Sequence, residues 1–240
     1  MDALLLKGVE FRYSAKTPRV LSIPVMSVAA GEKVFLFGPS GSGKTTLLGL
    51  IGGLFLPNSG EITVLGQSIS QMSHGARDRF RAQEIGFIFQ VFNLVSYLSV
   101  QDNVTLPCKF GRRVSAGFAT AAEEAHFLLE KLGVGELVGK NISDLSIGQQ
   151  QRVAAARALI GSPGIIIADE PTSALDEEAR AGFLNVLFAQ AKREGSSILF
   201  VSHDRGMAPQ FDRSLALSSI NTVNTPQTTP LITPLTGEFK

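Results

Sequence analysis

A glycine-rich stretch, GPSGSGKTT at residues 38–46, most constrains what this chain can fold into. It fits the pattern G-x-x-x-x-G-K-[ST], with the apolar run KVFLF before it and the helical pattern KTTLLGLIGGLF after it. Gly38, Gly41 and Gly43 let the backbone curl so that its N–H groups converge on phosphate, and Lys44 adds a positive charge. The sequence therefore predicts a strand, a phosphate-binding loop and a helix in succession.

A second part of the same site is predicted at residues 165–170, IIIADE. An apolar strand ends there in Asp169, which we expect to reach a bound Mg²⁺ together with the hydroxyl of Thr45. Glu170 follows, where a carboxylate can accept a proton from an attacking water. His203, in LFVSHD, also follows an apolar strand, at the position where open α/β sheets bind ligands, although a lone histidine is more often structural.

Composition excludes several classes of protein. Of the 240 residues, 44% are hydrophobic and 18% are charged, so a sizeable core is expected and global disorder is not. The net charge of +1 argues against nucleic-acid binding through a basic face, and the basic cluster Arg77, Arg79 and Arg81 is interpreted as a solvated helix face. The single cysteine, Cys108, permits no intrachain disulfide and fits a reducing, cytoplasmic setting. Neither a signal peptide nor a transmembrane helix is predicted.

Alternation of apolar runs with helical patterns predicts the fold class. The runs that indicate strands are LLLKGVEF, KVFLFG, EITVLG, IGFIFQ, GIIIADE and SSILFVSHD. Helical patterns between them imply a mainly parallel α/β sheet. We expect an α/β core at residues 1–90 and 161–214, an inserted helical subdomain at 91–160, and a Thr/Pro-rich tail at 215–240 with little secondary structure from about Ser219.

The stretch LSIGQQQR, residues 145–152, is a second candidate anion site. Ser146 followed three residues later by Gln149 is a capping-box pattern, which predicts the start of a helix. Free backbone N–H groups at a helix start attract anions. The chain thus carries two elements suited to phosphate.

Together these motifs resemble those of ATP-binding-cassette (ABC) ATPases, the nucleotide-binding subunits of ABC transporters, over roughly residues 3–214. The resemblance implies a P-loop NTPase fold of ABC type with a RecA-like core. It makes GPSGSGKTT the Walker A loop, IIIADE Walker B, LSIGQ the signature sequence, which is usually LSGGQ, and SALD at 173–176 the D-loop. Two cassettes of this family pair head to tail, so each ATP lies between one Walker A loop and the other signature helix. One chain therefore needs both elements.

The resemblance also implies roles for individual residues. Gln90 corresponds to the Q-loop glutamine, and His203 to the switch histidine that contacts the terminal phosphate. Tyr13 corresponds to the aromatic that stacks on adenine, with Phe11 as an alternative. The implied catalytic residues are Glu170, His203, Lys44 and Gln90, and the implied metal ligands are Thr45, Gln90 and Asp169. The implied nucleotide contacts are Tyr13, Gly38, Pro39, Ser40, Gly41, Ser42, Gly43, Lys44, Thr45, Thr46, Ser146, Gly148, Gln149 and Asp176.

The stretch IGFIFQVFNLVSYLSVQDNVTLP narrows the resemblance to lipoprotein-releasing, macrolide-exporting and lipid-exporting ATPases, a subgroup that includes the cell-division ATPase. This implies a homodimeric ATPase that uses ATP and Mg²⁺ and drives a separate transmembrane permease. Export or extraction of a lipid, lipoprotein or amphipathic molecule is expected. The implied location is the cytoplasmic face of the inner (plasma) membrane, with residues 91–100 near the permease and a periplasmic adaptor as a further candidate partner.

Other functions stay open at this point. The same ATPase could transmit a mechanical signal through a membrane partner to periplasmic or cell-wall enzymes, and no residue separates this function from export. Soluble ABC ATPases of translation or DNA repair usually have fused cassettes or long coiled-coil insertions, which this chain lacks. A nucleotide-binding regulator without turnover is disfavoured by Glu170 and His203.

Overall fold

The computed structural model describes residues 1–111, 114–173 and 175–224. The strands are β1 Asp2–Phe11, β2 Leu21–Ala29, β3 Lys33–Phe37, β4 Ser59–Val64, β5 Gln67–Ser68, β6 Ile85–Ile88, β7 Ile165–Asp169, β8 Ser197–Val201 and β9 Arg213–Ala216. The α-helices are α1 Lys44–Ile51, α2 His74–Glu84, α3 Val100–Lys109, α4 Ala121–Lys131, α5 Ile147–Leu159, α6 Glu177–Glu194 and α7 Leu217–Ile220. Short 3₁₀ helices lie at Ile69–Gln71, Gly135–Leu137, Ile142–Asp144, Arg205–Gln210 and Thr222–Asn224.

A parallel sheet of five strands, in the order β6-β7-β8-β3-β9, forms the centre of the molecule. Every residue of β7 and β8 is buried, as expected for strands covered on both faces. Ile166 joins the apolar cluster on the helical side of the sheet, and Ile167 joins the cluster on the other side. Because the strands are parallel, the loops that follow β3, β6, β7 and β8 meet at one edge.

A second sheet is antiparallel, with the order β2-β1-β4-β5. The prediction of one mainly parallel sheet was wrong for the runs LLLKGVEF and EITVLG, which form β1 and β4 here. Their apolar side chains alternate, so only one face is buried, and it packs with α1 against the parallel sheet. The edge strand β2 was not predicted, since Pro24 and two serines interrupt its apolar pattern.

Helices replace strands between residues 91 and 160, as predicted. In the described parts of this segment the regular elements are α3, α4, α5 and two 3₁₀ turns, and the three α-helices pack on one another. Their apolar faces join the cluster on one side of the parallel sheet. The division of the chain into a core, a helical subdomain and a tail stays a prediction.

The chain beyond Ser219 has more structure than predicted. Asn221 is buried, accepts a hydrogen bond from the Ser22 amide at 2.9 Å and donates one to the Val20 carbonyl at 3.0 Å. Ile220 packs against the adjacent apolar cluster. The prediction of little secondary structure was therefore wrong for residues 219–224, because a side-chain amide and a few apolar residues hold this segment on β2. Residues 225–240 lie outside the described part.

The basic cluster on α2 is not a solvated face throughout. Arg77 is buried and donates from Nε to the Gly53 carbonyl at 2.7 Å. Arg81 donates to the Gly52 carbonyl at 3.3 Å and forms an ion pair with Asp78. Arg79 is exposed, as predicted for the whole cluster. The prediction failed at Arg77 because that side chain satisfies carbonyls just beyond the end of α1.

Across the described ranges, none of the helices is both long enough and apolar enough to cross a membrane.

Candidate nucleotide site

A pocket of about 540 Å³ opens at the edge where the parallel strands end. Loops that follow β3, β6, β7 and β8 supply most of its wall, as the strand polarity requires. The predicted site residues in its lining are Tyr13, Ser40, Gly41, Gly43, Lys44, Thr45, Thr46, Gln90, Asp169, Glu170 and His203. Val20 also lines the pocket and was not predicted, because an isolated valine carries no sequence signal for binding.

The loop between β3 and α1 has the curvature that phosphate binding requires. Gly43, the residue before α1, has φ 101°, and a Cβ there would lie 3.0 Å from a methyl group of Leu21. A side chain at this position would therefore strain both the backbone and the packing behind the loop. The N-terminal N–H groups of α1 remain directed at the pocket end of the helix.

Lys44 and Ser42 complete the loop. The Lys44 ammonium donates to the Gly38 carbonyl at 2.8 Å and to the Pro39 carbonyl at 3.0 Å. The buried Ser42 hydroxyl has no hydrogen-bond partner among the described residues. A buried polar atom without a partner is costly, but Ser42 does not itself line the pocket, so its predicted contact with nucleotide stays a prediction. The loop thus fits a phosphate group in both shape and chemistry.

Asp169 lies at the end of β7, directly opposite the start of α1. The hydroxyl of Thr45 donates to its Oδ2 at 3.1 Å. Burial raises the pKa of Asp169 and the nearby Glu170 carboxylate adds to this effect, while the Thr45 hydrogen bond and the Lys44 charge oppose it. A carboxylate and a hydroxyl in contact beside a phosphate loop are hard oxygen ligands, so this pair fits Mg²⁺.

Glu170 is held in an uncommon backbone conformation. Its φ of 49° is left-handed, which is unusual for a residue other than glycine. Its amide donates to the Val201 carbonyl at 2.9 Å, and its carboxylate accepts from the Ser202 hydroxyl at 3.1 Å. His203 Nδ1 lies 3.0 Å from both carboxylate oxygens. Sequence reasoning missed Ser202, although a hydroxyl directly before His203 at the end of an apolar run was a usable signal.

The structure separates the two candidates for the adenine-stacking aromatic. Phe11 is 5% exposed and belongs to the core, whereas Tyr13 is 58% exposed and lines the pocket. The Tyr13 hydroxyl lies 2.8 Å from Thr46 Oγ1, and its ring meets Phe11 and Phe55 edge-on. Of the two residues, Tyr13 is the one available to a ligand.

The signature stretch forms the predicted helix start. Ser146 is the N-cap of α5, with the Gln149 amide donating to its hydroxyl and the Ser146 amide donating to Gln149 Oε1. Ile147 is the first helical residue and is 61% exposed. Gly148 follows it, and Asp176 is the N-cap of α6. None of these five signature and D-loop residues lines the pocket of its own chain.

Comparison with known proteins identifies the family. Residues 22–173 match the family model described as ABC transporter. The chain is 39% identical over 193 residues to the lipoprotein-releasing system ATP-binding protein LolD of Xanthomonas euvesicatoria, covering 80% of this chain and 78% of that protein. It is 40% identical over 190 residues to the uncharacterized ABC transporter ATP-binding protein YbbA of Escherichia coli, covering 79% and 82%. The predicted resemblance to the lipoprotein-releasing subgroup is therefore confirmed.

Solved structures agree with the sequence matches. The ATP-binding cassette MJ0796, determined as a dimer in a post-hydrolysis state bound to ADP and Pi, superimposes with a TM-score of 0.80 at 32% identity, covering 89% of this chain and 93% of that one. A second dimeric structure of MJ0796 gives a TM-score of 0.81 at 33% identity, with the same coverage. The predicted P-loop NTPase fold is confirmed. The chain belongs to the ABC transporter family, as an ATP-binding subunit that hydrolyses ATP for transport.

Proposed function

We propose that this ATPase works as a homodimer that drives a separate transmembrane permease at the cytoplasmic face of the inner membrane. Its cargo would be a lipid, a lipoprotein or another amphipathic molecule that is exported or extracted. The name of the relative LolD, a lipoprotein-releasing protein, supports this cargo class. The observation that carries the permease proposal is an apolar groove beside the nucleotide pocket.

The groove has a volume of about 600 Å³ and lies between α2, β6 and α3. Its apolar lining consists of Leu54, Ala82, Ile85, Phe87, Phe89, Leu106, Pro107 and Phe110. Leu54 and Phe110 are 50% and 63% exposed, and the neighbouring Val91 and Tyr97 are 81% and 85% exposed. Exposed apolar area of this extent is typical of an interface. We expect an apolar segment of a permease to occupy this groove. Of residues 91–100 only Asn93 lines it, so the contact of that segment with the permease stays a prediction.

Homodimerisation is supported by the position of the signature helix. The start of α5 presents a capped helix end with Ile147 exposed, outside the pocket of the same chain. Ser146, Gly148 and Gln149 could then contact the nucleotide of a second copy, with Asp176 near the seam. The dimeric structures of MJ0796 support this arrangement.

Within the pocket, the chain's own residues account for the chemistry. Lys44 and the loop N–H groups would orient the phosphates, and Tyr13 would support the base. Glu170 would accept a proton at its carboxylate from the attacking water, while Ser202 and His203 hold that carboxylate in place. Thr45, Gln90 and Asp169 would hold Mg²⁺, which when bound neutralises charge on the phosphates.

Purification from native membranes tests the proposal. The wild-type chain is expected to bring a permease with it, and mass spectrometry would identify both the permease and any bound lipid or lipoprotein. Leu54→Asp and Phe110→Asp should abolish this co-purification while the isolated chain still binds ATP. Val25→Asp is the matched control, because Val25 is 60% exposed on the edge strand β2, away from the groove. Wild-type recovery of the permease with both groove variants would contradict the proposed surface, and a regulatory partner without cargo would contradict export.

A further inference from the structure

The turn that carries Gln90 is held in an unusual backbone conformation. Phe92 and Asn93, which lie two and three residues after Gln90, have φ values of 51° and 49°. Asparagine tolerates the left-handed region, but phenylalanine rarely occupies it. Such a conformation persists only where the surrounding structure holds it.

One side chain from a different element holds both residues. Arg157 lies in the last turn of α5, and its Nη2 donates to the Phe92 carbonyl at 2.5 Å. Its Nη1 donates to the Asn93 carbonyl at 2.7 Å. The planar guanidinium presents two parallel donors, a geometry that a lysine ammonium cannot reproduce.

No carboxylate in the described part of the chain forms an ion pair with Arg157. Its charge is instead placed against two backbone carbonyls, at the side of the apolar groove that it helps to line. Burial lowers the pKa of Arg157 to about 10, so the group remains protonated at neutral pH. A partly buried charge without an anionic partner is costly, so a role other than ion pairing must account for Arg157.

Helix α5 therefore carries a region with a proposed role in nucleotide binding at each of its ends, the first of them outside the pocket of its own chain. Its first turn carries Ser146 and Gly148, and its last turn grips the backbone two and three residues after Gln90. We propose that Arg157 is a positioning residue for Gln90, which fixes the glutamine where it serves the metal and couples its position to that of α5. This inference rests on the proposed role of Gln90.

The test combines metal dependence with a backbone measurement that does not depend on activity. In the full chain, Arg157→Gln should raise the Mg²⁺ concentration for half-maximal ATP hydrolysis by about tenfold, as loss of a group that orients a metal ligand does. Binding of a fluorescent ATP analogue in EDTA should stay within about twofold of wild type, since Arg157 touches neither Lys44 nor Tyr13. Hydrogen–deuterium exchange should accelerate in the peptide covering residues 89–95.

Arg152→Gln is the matched control. Arg152 lies on the same helix and also donates to a backbone carbonyl, that of Leu132 at 3.3 Å, but it does not contact the Gln90 turn. This variant should keep the wild-type Mg²⁺ dependence and the wild-type exchange at residues 89–95. If Arg157→Gln fails to fold, Arg157→Lys carries the test, because it keeps the charge and loses the paired donors. We expect it to give an intermediate shift.

Gln90→Ala separates failure of this inference from failure of the proposed function. If Gln90→Ala leaves the Mg²⁺ dependence unchanged, the proposed metal role of Gln90 is wrong. If Gln90→Ala shifts it but neither Arg157 variant does, only the positioning role is wrong. The double variant should shift it no further than Gln90→Ala alone, because the arginine acts through the glutamine. Additive shifts would show that Arg157 has a separate, merely structural effect.

Discussion

Ile147 occupies the signature position that is usually glycine in this family, and its geometry is informative. It is the first residue of α5 after the N-cap Ser146, so its backbone is helical and does not require glycine. Its side chain is 61% exposed in the single chain. A side chain in the first turn extends sideways from the helix axis, whereas an anion at a helix end contacts the backbone N–H groups. We therefore interpret Ile147 as a residue of the dimer seam and not as an obstacle to phosphate.

Substitutions at Ile147 and Gly148 test this interpretation. Ile147→Gly should change ATPase activity by less than about twofold, because neither strain nor collision is relieved. Gly148→Asp should eliminate activity, because a carboxylate near the partner's phosphate is repelled. A Cβ at Gly148 would lie 3.6 Å from a methyl group of Leu175, an ordinary contact, so the variant should fold. Steady-state phosphate release measures both effects.

Gly148→Asn is the control for size, since it matches aspartate in shape without the charge. It should retain clearly more activity than Gly148→Asp. A large gain of activity in Ile147→Gly would instead mean that the isoleucine impairs this signature.

At the scale of elements, α2 stabilises the far end of the phosphate-loop helix. Arg77 and Arg81 donate to the Gly53 and Gly52 carbonyls, just beyond the last turn of α1. Cations near a helix C-terminus also interact favourably with its dipole. These two arginines therefore support the helix whose opposite end forms the phosphate site.

Arg77→Ala should lower the free energy of unfolding by about 1–3 kcal/mol, since it leaves a carbonyl without its donor and removes buried packing. Arg79 lies on the same helix, and its side chain is exposed. Arg79→Ala should therefore change the free energy of unfolding by less than about 0.5 kcal/mol. Urea unfolding followed by circular dichroism measures both. Equal effects of the two substitutions would mean that Arg77 contributes no more to stability than a solvated arginine, as the sequence predicted.

The sequence predicted elements well where the signal is local. The loop at 38–46 lies between β3 and α1 as its motif requires, and the capping box at Ser146 starts α5. Asp169 and Glu170 end β7, and the pocket brings them to the phosphate loop. In each case the candidate site residues lie next to a local sequence signal for a strand or a helix.

Features that depend on distant contacts could not be predicted. Whether an apolar run such as LLLKGVEF joins a parallel or an antiparallel sheet depends on its partner strand, which the run itself does not specify. Asn221 looks like an ordinary polar residue, and its role comes from Ser22 and Val20, which lie far away in the sequence. The contact of Arg157 with the Gln90 turn likewise links segments 64 and 65 residues apart.

At the scale of the whole molecule, we expect Glu170, the proposed proton acceptor, to determine how long two copies stay together. Glu170→Gln should keep ATP binding, because the amide preserves size and the Ser202 hydroxyl can still bond to it. Turnover should fall by about 10²–10⁴-fold, since an amide cannot take the proton from water. ATP that is bound and not consumed favours the closed dimer by mass action. Light scattering with ATP should therefore show a stable dimer.

Lys44→Ala gives the opposite behaviour and serves as the control. It removes the positive charge at the phosphate loop, so ATP binding itself should weaken and the dimer should not accumulate. Turnover at the wild-type rate in Glu170→Gln would assign the proton acceptor to another residue.

The order of strands in the parallel sheet has a consequence for how the protein is made. β3, which leads into the phosphate loop, pairs with β8 on one side and with β9 on the other, and Asn221 then secures β2 behind that loop. A ribosome that adds about 5–20 residues per second takes roughly 10–40 s to synthesise the 199 residues that separate Ser22 from Asn221. Until β8, at Ser197–Val201, has been synthesised near the end of that interval, β3 of the nascent chain has both edges unpaired. We therefore expect the nucleotide pocket to form late in synthesis, with the apolar strand β3 exposed to chaperones until then.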